Sequence, residues 1–291
     1  MYTPKALLLL AFFVPCFACE KSPPSTSSFP FAPVPAITSI VPKVADEVSG
    51  IADSKLNNGT LWLQEDSGNP TELQLLKYDG TFLKKIFIRN VQNRDWEDLA
   101  LAPGPVNTIN YLYIADIGDN NAQHNNYTIY RFPEPTAAAD TVEIADKITF
   151  RYPDTAHDAE TLFVDPLTRD IYIVTKRDLL SKVYKLAYPQ TLLNAIDAKP
   201  VATLSFSGAV GGAISGNGNE VIIKTYTGLN YWQRKPNETI EAMLQREPLS
   251  LPYKQEPQGE AVCFSSSDAG FFTLSERGFA PSVGIHFYKR L

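Results

Sequence analysis

The chain has 291 residues, 44% of them hydrophobic, and a formal net charge of −6 with no block of like charge. That balance excludes the basic footprint on which non-specific nucleic-acid binding depends. Aromatic residues are plentiful (Tyr 14, Phe 16) and Met is scarce at 2, which with many short β-branched runs favours strands over helices.

The chain opens as an export signal. Lys5 supplies the positive start, and Ala6 to Phe13 form an apolar run too short to span a bilayer. Small or apolar residues then lead to Cys16-Phe17-Ala18-Cys19. An Ala directly before a Cys resembles the lipobox of bacterial lipoproteins, which implies cleavage and acylation at Cys19. Cys16 stands where that pattern usually has Leu, so ordinary cleavage near Ala18 and a soluble secreted product is the alternative. Residues 20–35 (EKSPPSTSSFPFAPVP) read as a Ser/Pro-rich tether. The expected location is the cell envelope, with contact to a membrane only through the lipid anchor. Cys263 is then the one remaining thiol, and its apolar setting (AVCF) marks it as core rather than nucleophile.

From Ala36 onward, residues 36–291, about 255 in number, suffice for one large all-β domain. Five segments share a pattern: EVSGIAD from Glu47, DWEDLAL from Asp95, DAETLFV from Asp158, GGAISGN from Gly211 and GEAVCFS from Gly259. Each has a polar or small residue two places before an apolar one: Ile51, Leu99, Leu162, Ile214 and Val262. Three further apolar runs follow each segment, except in the last unit, which has only two and stops after its third strand, IHFYKR. Four strands recurring at about 50 residues predict a five-bladed β-propeller. The missing strand is available as AITSIV, residues 36–41, so an N-terminal strand closes the ring and removes two free edges. A pair of β-sandwiches does not explain this arithmetic. TLLNAIDA, around Leu192, is the one candidate for a short helix.

In a propeller the first strand of each blade lines the central channel. The repeat assigns the channel position to Ser49, Glu97, Glu160, Gly212 and Glu260. Carboxylates converging on one axis repel and lose hydration, so something must neutralise them. A hard cation with oxygen ligands does so, and a wide channel suits calcium, with Ser49, Glu97, Glu160 and Glu260 as ligands. The alternative is that these Glu residues cap backbone N–H groups or bind water.

The same face receives the other polar residues. Blades one and two contribute Asp66, Asn93, Arg94, Asp95, Trp96, Asp98, Asp116, Asp119 and Asn120. Blades three to five contribute His157, Asp158, Lys176, Arg177, Lys224, Tyr226, Gln258, Glu276 and Arg277. An acidic, amide-rich rim thus faces a basic one, a pairing suited to a small anionic ligand or a protein partner. DIGDNN does not match an EF-hand and reads as a tight turn around Asp119 and Asn120. Trp96 either stacks on a ligand or packs between blades. No nucleophile elbow, phosphate-binding loop, zinc-protease motif or Cys–His pairing is present, so a nucleophile-based hydrolase has no support.

EVSG, DWEDLA, YIADIGDNN, DAETL and QGEAV resemble a family of uncharacterised bacterial secreted or lipid-anchored propeller proteins. A weaker resemblance joins Ser49, Glu97, Glu160 and Glu260 to the calcium-dependent apyrases of animals, five-bladed propellers that hydrolyse nucleoside diphosphates. It implies a channel calcium and, as the alternative function, a calcium-dependent phosphohydrolase. Gly212 departs from that pattern because it has no side chain to donate. The first expectation is therefore a monomeric, lipid-anchored propeller that binds a ligand or partner on its polar face. A sugar- or lactone-acting propeller lacks a carboxylate pair to single it out.

Overall fold

The apolar runs of the inner strands are buried almost without interruption, as strands covered on both faces must be. The outer strands alternate between buried and exposed positions. The computed structural model describes residues 1–2, 29–40, 44–143 and 146–291. The expected leader with Cys16 and Cys19, and the tether up to residue 28, lie outside them.

Strand β1 is Ala36–Ser39. Blade 1 contains β2 (Val48–Asp53), β3 (Thr60–Glu65), β4 (Glu72–Lys77) and β5 (Phe82–Ile88). Blade 2 contains β6 (Trp96–Pro103), β7 (Asn110–Asp116) and β8 (Tyr127–Pro133). The short β9 (Thr141–Val142) follows, and then the blade's fourth strand, β10 (Asp146–Arg151). Blade 3 contains β11 (Ala159–Val164), β12 (Ile171–Thr175) and β13 (Lys182–Leu186). After the short β14 (Ile196–Asp197) comes its outer strand, β15 (Lys199–Thr203). Blade 4 contains β16 (Ala209–Ile214), β17 (Glu220–Thr225), β18 (Gly228–Gln233) and β19 (Leu249–Leu251). Blade 5 contains β20 (Gln258–Phe264), β21 (Gly270–Glu276) and β22 (Gly284–Lys289).

These form five separate sheets, and β1 completes blade 5 by pairing antiparallel with β22. The fold is a five-bladed β-propeller closed by an N-terminal strand, as the repeat predicts. The seam continues upstream of β1: Phe31 bridges to Arg290 and packs edge-on against Phe271, with ring centroids 4.8 Å apart. The short β9 and β14 add parallel to the outer strands of blades 1 and 2, so each of those edges is covered by a neighbouring blade's connection. Five apolar clusters fill the spaces between successive blades; Leu63 with Leu274 joins blades 1 and 5, and Trp62 with Leu112 joins blades 1 and 2. Cys263 belongs to the first of these clusters and is a buried free thiol, as its apolar setting implies.

Two expectations are corrected. Residues around Leu192 form no helix, and Leu192 and Leu193 are exposed, so that segment has no apolar face to bury. The helix is instead α1 (Ile240–Leu244), capped by Thr239, whose side chain accepts from Ala242 N, and buried through Ile240, Met243 and Leu244. The second correction concerns register. Every first strand carries a β-bulge near its start, and the bulged residues are Ser49, Glu97, Glu160, Val210 and Glu260. Blade 4 therefore presents Val210 at the channel position, and Gly212 occupies the place of Ile51 and Leu99. The two-residue slip leaves every side chain on the same face, so the alternating pattern of GGAISG does not reveal it. Among the described residues no helix is long and apolar enough to cross a membrane.

Candidate functional site

A bulge leaves its extra residue unpaired and re-aims its side chain. Repeated at one place in five strands, it gathers Glu97, Glu160 and Glu260 at one mouth of the channel, each about 95% buried. The connections between second and third strands close over the same mouth. Two carboxylate triads result, and within each the ligand atoms lie within 4.8 Å of one another. One joins Glu97, Asp158 and Glu160; the other joins Asp66, Asp95 and Glu97.

Glu97 is shared by both triads, and among the described residues it accepts no hydrogen bond. Burial, and then the charge of Glu160, push its carboxyl well above the usual carboxylate range. Glu160 pairs with Lys176 through Oε1, while its buried Oε2 has no partner. Burial lifts Glu160 to about 8 against the pull of Lys176. Burial also lifts Asp66 to about 6. Orphaned, buried carboxylate oxygens in a crowded mouth are costly unless a cation or proton joins them. The set fits a hard cation, because every candidate ligand atom is oxygen.

The remaining expected residues divide between this mouth and its walls. Ser49 Oγ lies 3.0 Å from the Trp96 carbonyl and 2.7 Å from the Gln64 carboxamide. Glu260 Oε1 accepts from Tyr226 at 2.6 Å, and Lys176 Nζ lies 3.0 Å from the same phenol oxygen. Lys176 thus stands between Glu160 and Tyr226, which carries the contact on to Glu260. Glu276 hydrogen-bonds Glu260, and burial with the Glu260 charge raises it to about 9. Arg177 pairs with Asp158 at 2.6 Å and also reaches Asn120.

Other residues serve the walls. Asp116 accepts from Asp95 N at 2.9 Å, fixing the strand that carries Glu97. Asp119 closes the DIGDNN turn, accepting from Gln123 N, His124 N and the Tyr127 hydroxyl. Asn93 ties the Asp66 loop down by donating to Asp66 O at 2.8 Å. Trp96 is buried between blades 1 and 2, with its Nε1–H on Gln92 O, so it packs rather than faces the mouth.

Asp98, one residue past the bulge, is fully buried deeper in the channel. It accepts from Leu99 N at 2.8 Å, Leu162 N at 2.8 Å and Gly212 N at 3.1 Å. One carboxylate therefore joins blades 2, 3 and 4 at the axis. Small residues make room for this arrangement: a Cβ on Gly50 would lie 2.5 Å from Leu99 N.

The basic rim expected from blades three to five is not a free surface. Lys176 and Arg177 are paired within the acidic mouth. Lys224 is wholly buried, 3.0 Å from Glu256 and over the Tyr253 ring. Arg277 is tied to Asp46 at 2.8 Å. Glu256 was not legible as a partner of Lys224, because it lies in an irregular connection outside the repeated pattern. Gly118 is a second such residue: nothing in the sequence tells that its missing side chain leaves space for Glu97 and Asp95.

Fold and site together define an all-β, five-bladed propeller with a carboxylate-rich channel mouth. No protein-family model matches the chain, and no curated protein sequence matches it significantly. Solved structures share the fold at very low identity. The PQQ-bound aldose sugar dehydrogenase of Streptomyces coelicolor aligns at 10% identity with a TM-score of 0.52, over 89% of this chain and 99% of that one. A luciferin-regenerating enzyme aligns at 9% identity with a TM-score of 0.50, over 88% and 96%. Both likenesses concern the propeller architecture alone.

Proposed function

We propose that the protein is a lipid-anchored cell-envelope propeller that holds a calcium-type cation in its channel mouth and uses it to bind an anionic ligand or partner. The ion's ligands in this reading are Glu97, Asp158 and Glu160; Ser49 and Glu260, at the same bulge position of adjacent blades, complete the shell through water. One observation carries the reading. Glu97 is a buried carboxylate with no hydrogen-bond partner among the described residues, surrounded by other carboxylates. The anchor at Cys19 and the kinship with bacterial cell-surface propellers rest on the sequence patterns, and Cys19→Ser should shift the chain from the membrane fraction to the soluble one.

The decisive experiment is thermal unfolding of the full chain with excess calcium and then with excess chelator. A ligand that binds only the folded state raises the midpoint, by about 2.7 kcal/mol of stability at a hundred times its dissociation constant. Glu97→Gln should abolish the shift. An unchanged midpoint in the wild-type chain overturns the cation reading.

A phosphohydrolase is the second reading, favoured by the entry of Lys176 and Arg177 into the same carboxylate cluster. A phosphate at the cation would meet both basic groups. The cation would polarise a phosphoryl oxygen and orient water, with Asp95 as the candidate general base. Asp98 is unsuited to that role, since three backbone N–H groups hold it. Calcium-dependent release of phosphate from a nucleotide and phosphoester panel, lost in Glu97→Gln, would support this reading; absence of turnover across the panel removes it.

A further inference from the structure

We infer that the mouth is built for two cations bridged by Glu97, the second ion being held by Asp66, Asp95 and Glu97. The inference rests on the cation reading above and extends it to residues outside the bulge ring.

The two triads share one carboxylate, and their electrostatics differ. Glu160 and Asp158 each already carry a basic partner, Lys176 and Arg177. Among the described residues no ion pair joins Asp66, Asp95 or Glu97 to a basic side chain. Arg94 acts on Asp95 only from a distance, so this triad, which has no direct ion pair, has the greater need of an ion. Glu97 supplies the independent sign of one: it is about 95% buried, it has no hydrogen-bond partner among the described residues, and it offers a ligand atom to both triads.

The local backbone is fitted to the same oxygens. Gly118 follows β7 and lies against them, and a Cβ there would come 2.2 Å from Glu97 Oε1 and 2.3 Å from Asp95 Oδ2. Gly118 N donates to Asp95 O at 3.2 Å, and Asp95 N donates to Asp116 Oδ1 at 2.9 Å. The Arg94 guanidinium also donates to Asp116 O at 3.3 Å, so the loop closes on the two carboxylates and holds them side by side.

Charge gives the second ion a consequence. The carboxylates of the two triads, with Glu260 at the same mouth, outnumber the nearby cations Lys176, Arg177 and Arg94, so negative charge is in excess. The first divalent cation removes two units of that excess and gives an anion a direct ligand position. The second cation removes two more units, so an anionic ligand is held more strongly when both sites are filled. A shared carboxylate between two hard cations is also how two-metal sites present an oxyanion to both ions at once.

The test is the number of calcium ions bound by the full-length chain at neutral pH, measured by equilibrium dialysis and by titration calorimetry with calcium alone. Two ions per wild-type chain are expected. Asp95→Asn should keep one ion and lose the other by at least tenfold in affinity, and Glu160→Gln should do the same for the complementary ion. Circular dichroism melts of each variant establish that the propeller is folded. One ion per wild-type chain, lost in Glu160→Gln but untouched in Asp95→Asn, overturns the two-cation centre and leaves the single-cation reading standing. No bound ion overturns both.

Discussion

The Glu97 carboxylate occupies the space that a side chain at Gly118 would need: a Cβ there would fall 2.2 Å from Glu97 Oε1. Gly118 is not in the left-handed region that favours glycine, so a substitution there meets the carboxylates and not backbone strain. Gly118→Ala should therefore leave the fold intact, at a cost of about 1–3 kcal/mol for overpacking. Calcium affinity should fall at least tenfold, because Glu97 and Asp95 must move apart. Calorimetric titration of the variant beside the wild type checks this; equal affinities would mean that the close approach has no part in ion binding.

Asp98 should behave in the opposite manner. Its carboxylate accepts backbone N–H groups from three blades, and Asp98→Ala would orphan three buried donors. Each unsatisfied donor costs about 1–3 kcal/mol, so the loss should reach about 3 kcal/mol or more. That corresponds to a drop in melting temperature of about 6–12 °C for a domain of this size. Asp98→Asn keeps one acceptor oxygen and should lose less. Urea unfolding of the two variants ranks them, and an Asp98→Ala protein as stable as wild type would refute the carboxylate's role as an axial tie.

The pH dependence of the cation-free chain has an unusual sign. Burial raises Asp66 to about 6 and Glu160 to about 8. Groups raised on folding bind more protons in the native state than in the unfolded chain between their ordinary and raised values. Stability then falls as pH rises through that window, here from about 4 to about 8. Melting in chelator should accordingly give a higher midpoint at pH 5 than at pH 8. Saturating calcium should reverse or flatten the slope, because the ion replaces the protons. A chelated protein that is most stable at pH 8 would show that the mouth carboxylates are ionised without help.

Much of this architecture is legible in the residues. The fourfold strand pattern at a constant period, and a last unit lacking the strand that AITSIV supplies, determine five blades and the closure of the ring. The conjunction of EVSG, DWED, DAET and QGEA places Ser49, Glu97, Glu160 and Glu260 at one level. These are local signals, because strand periodicity and turn chemistry act over a few residues.

What only the tertiary structure decided are distances between blades. A two-residue slip preserves alternation, so the pattern could not choose between Gly212 and Val210, and hydrogen-bond pairing with β17 settled it. The pairing of Lys176 with Glu160, the burial of Lys224 against Glu256 and the three-blade grip on Asp98 join residues between 16 and 114 positions apart. The sequence by itself determined which strands form and which carboxylates they carry. Their convergence, and the glycine space that lets Glu97 and Asp95 lie side by side, came from closing the ring, because electrostatics and packing act through space and not along the chain.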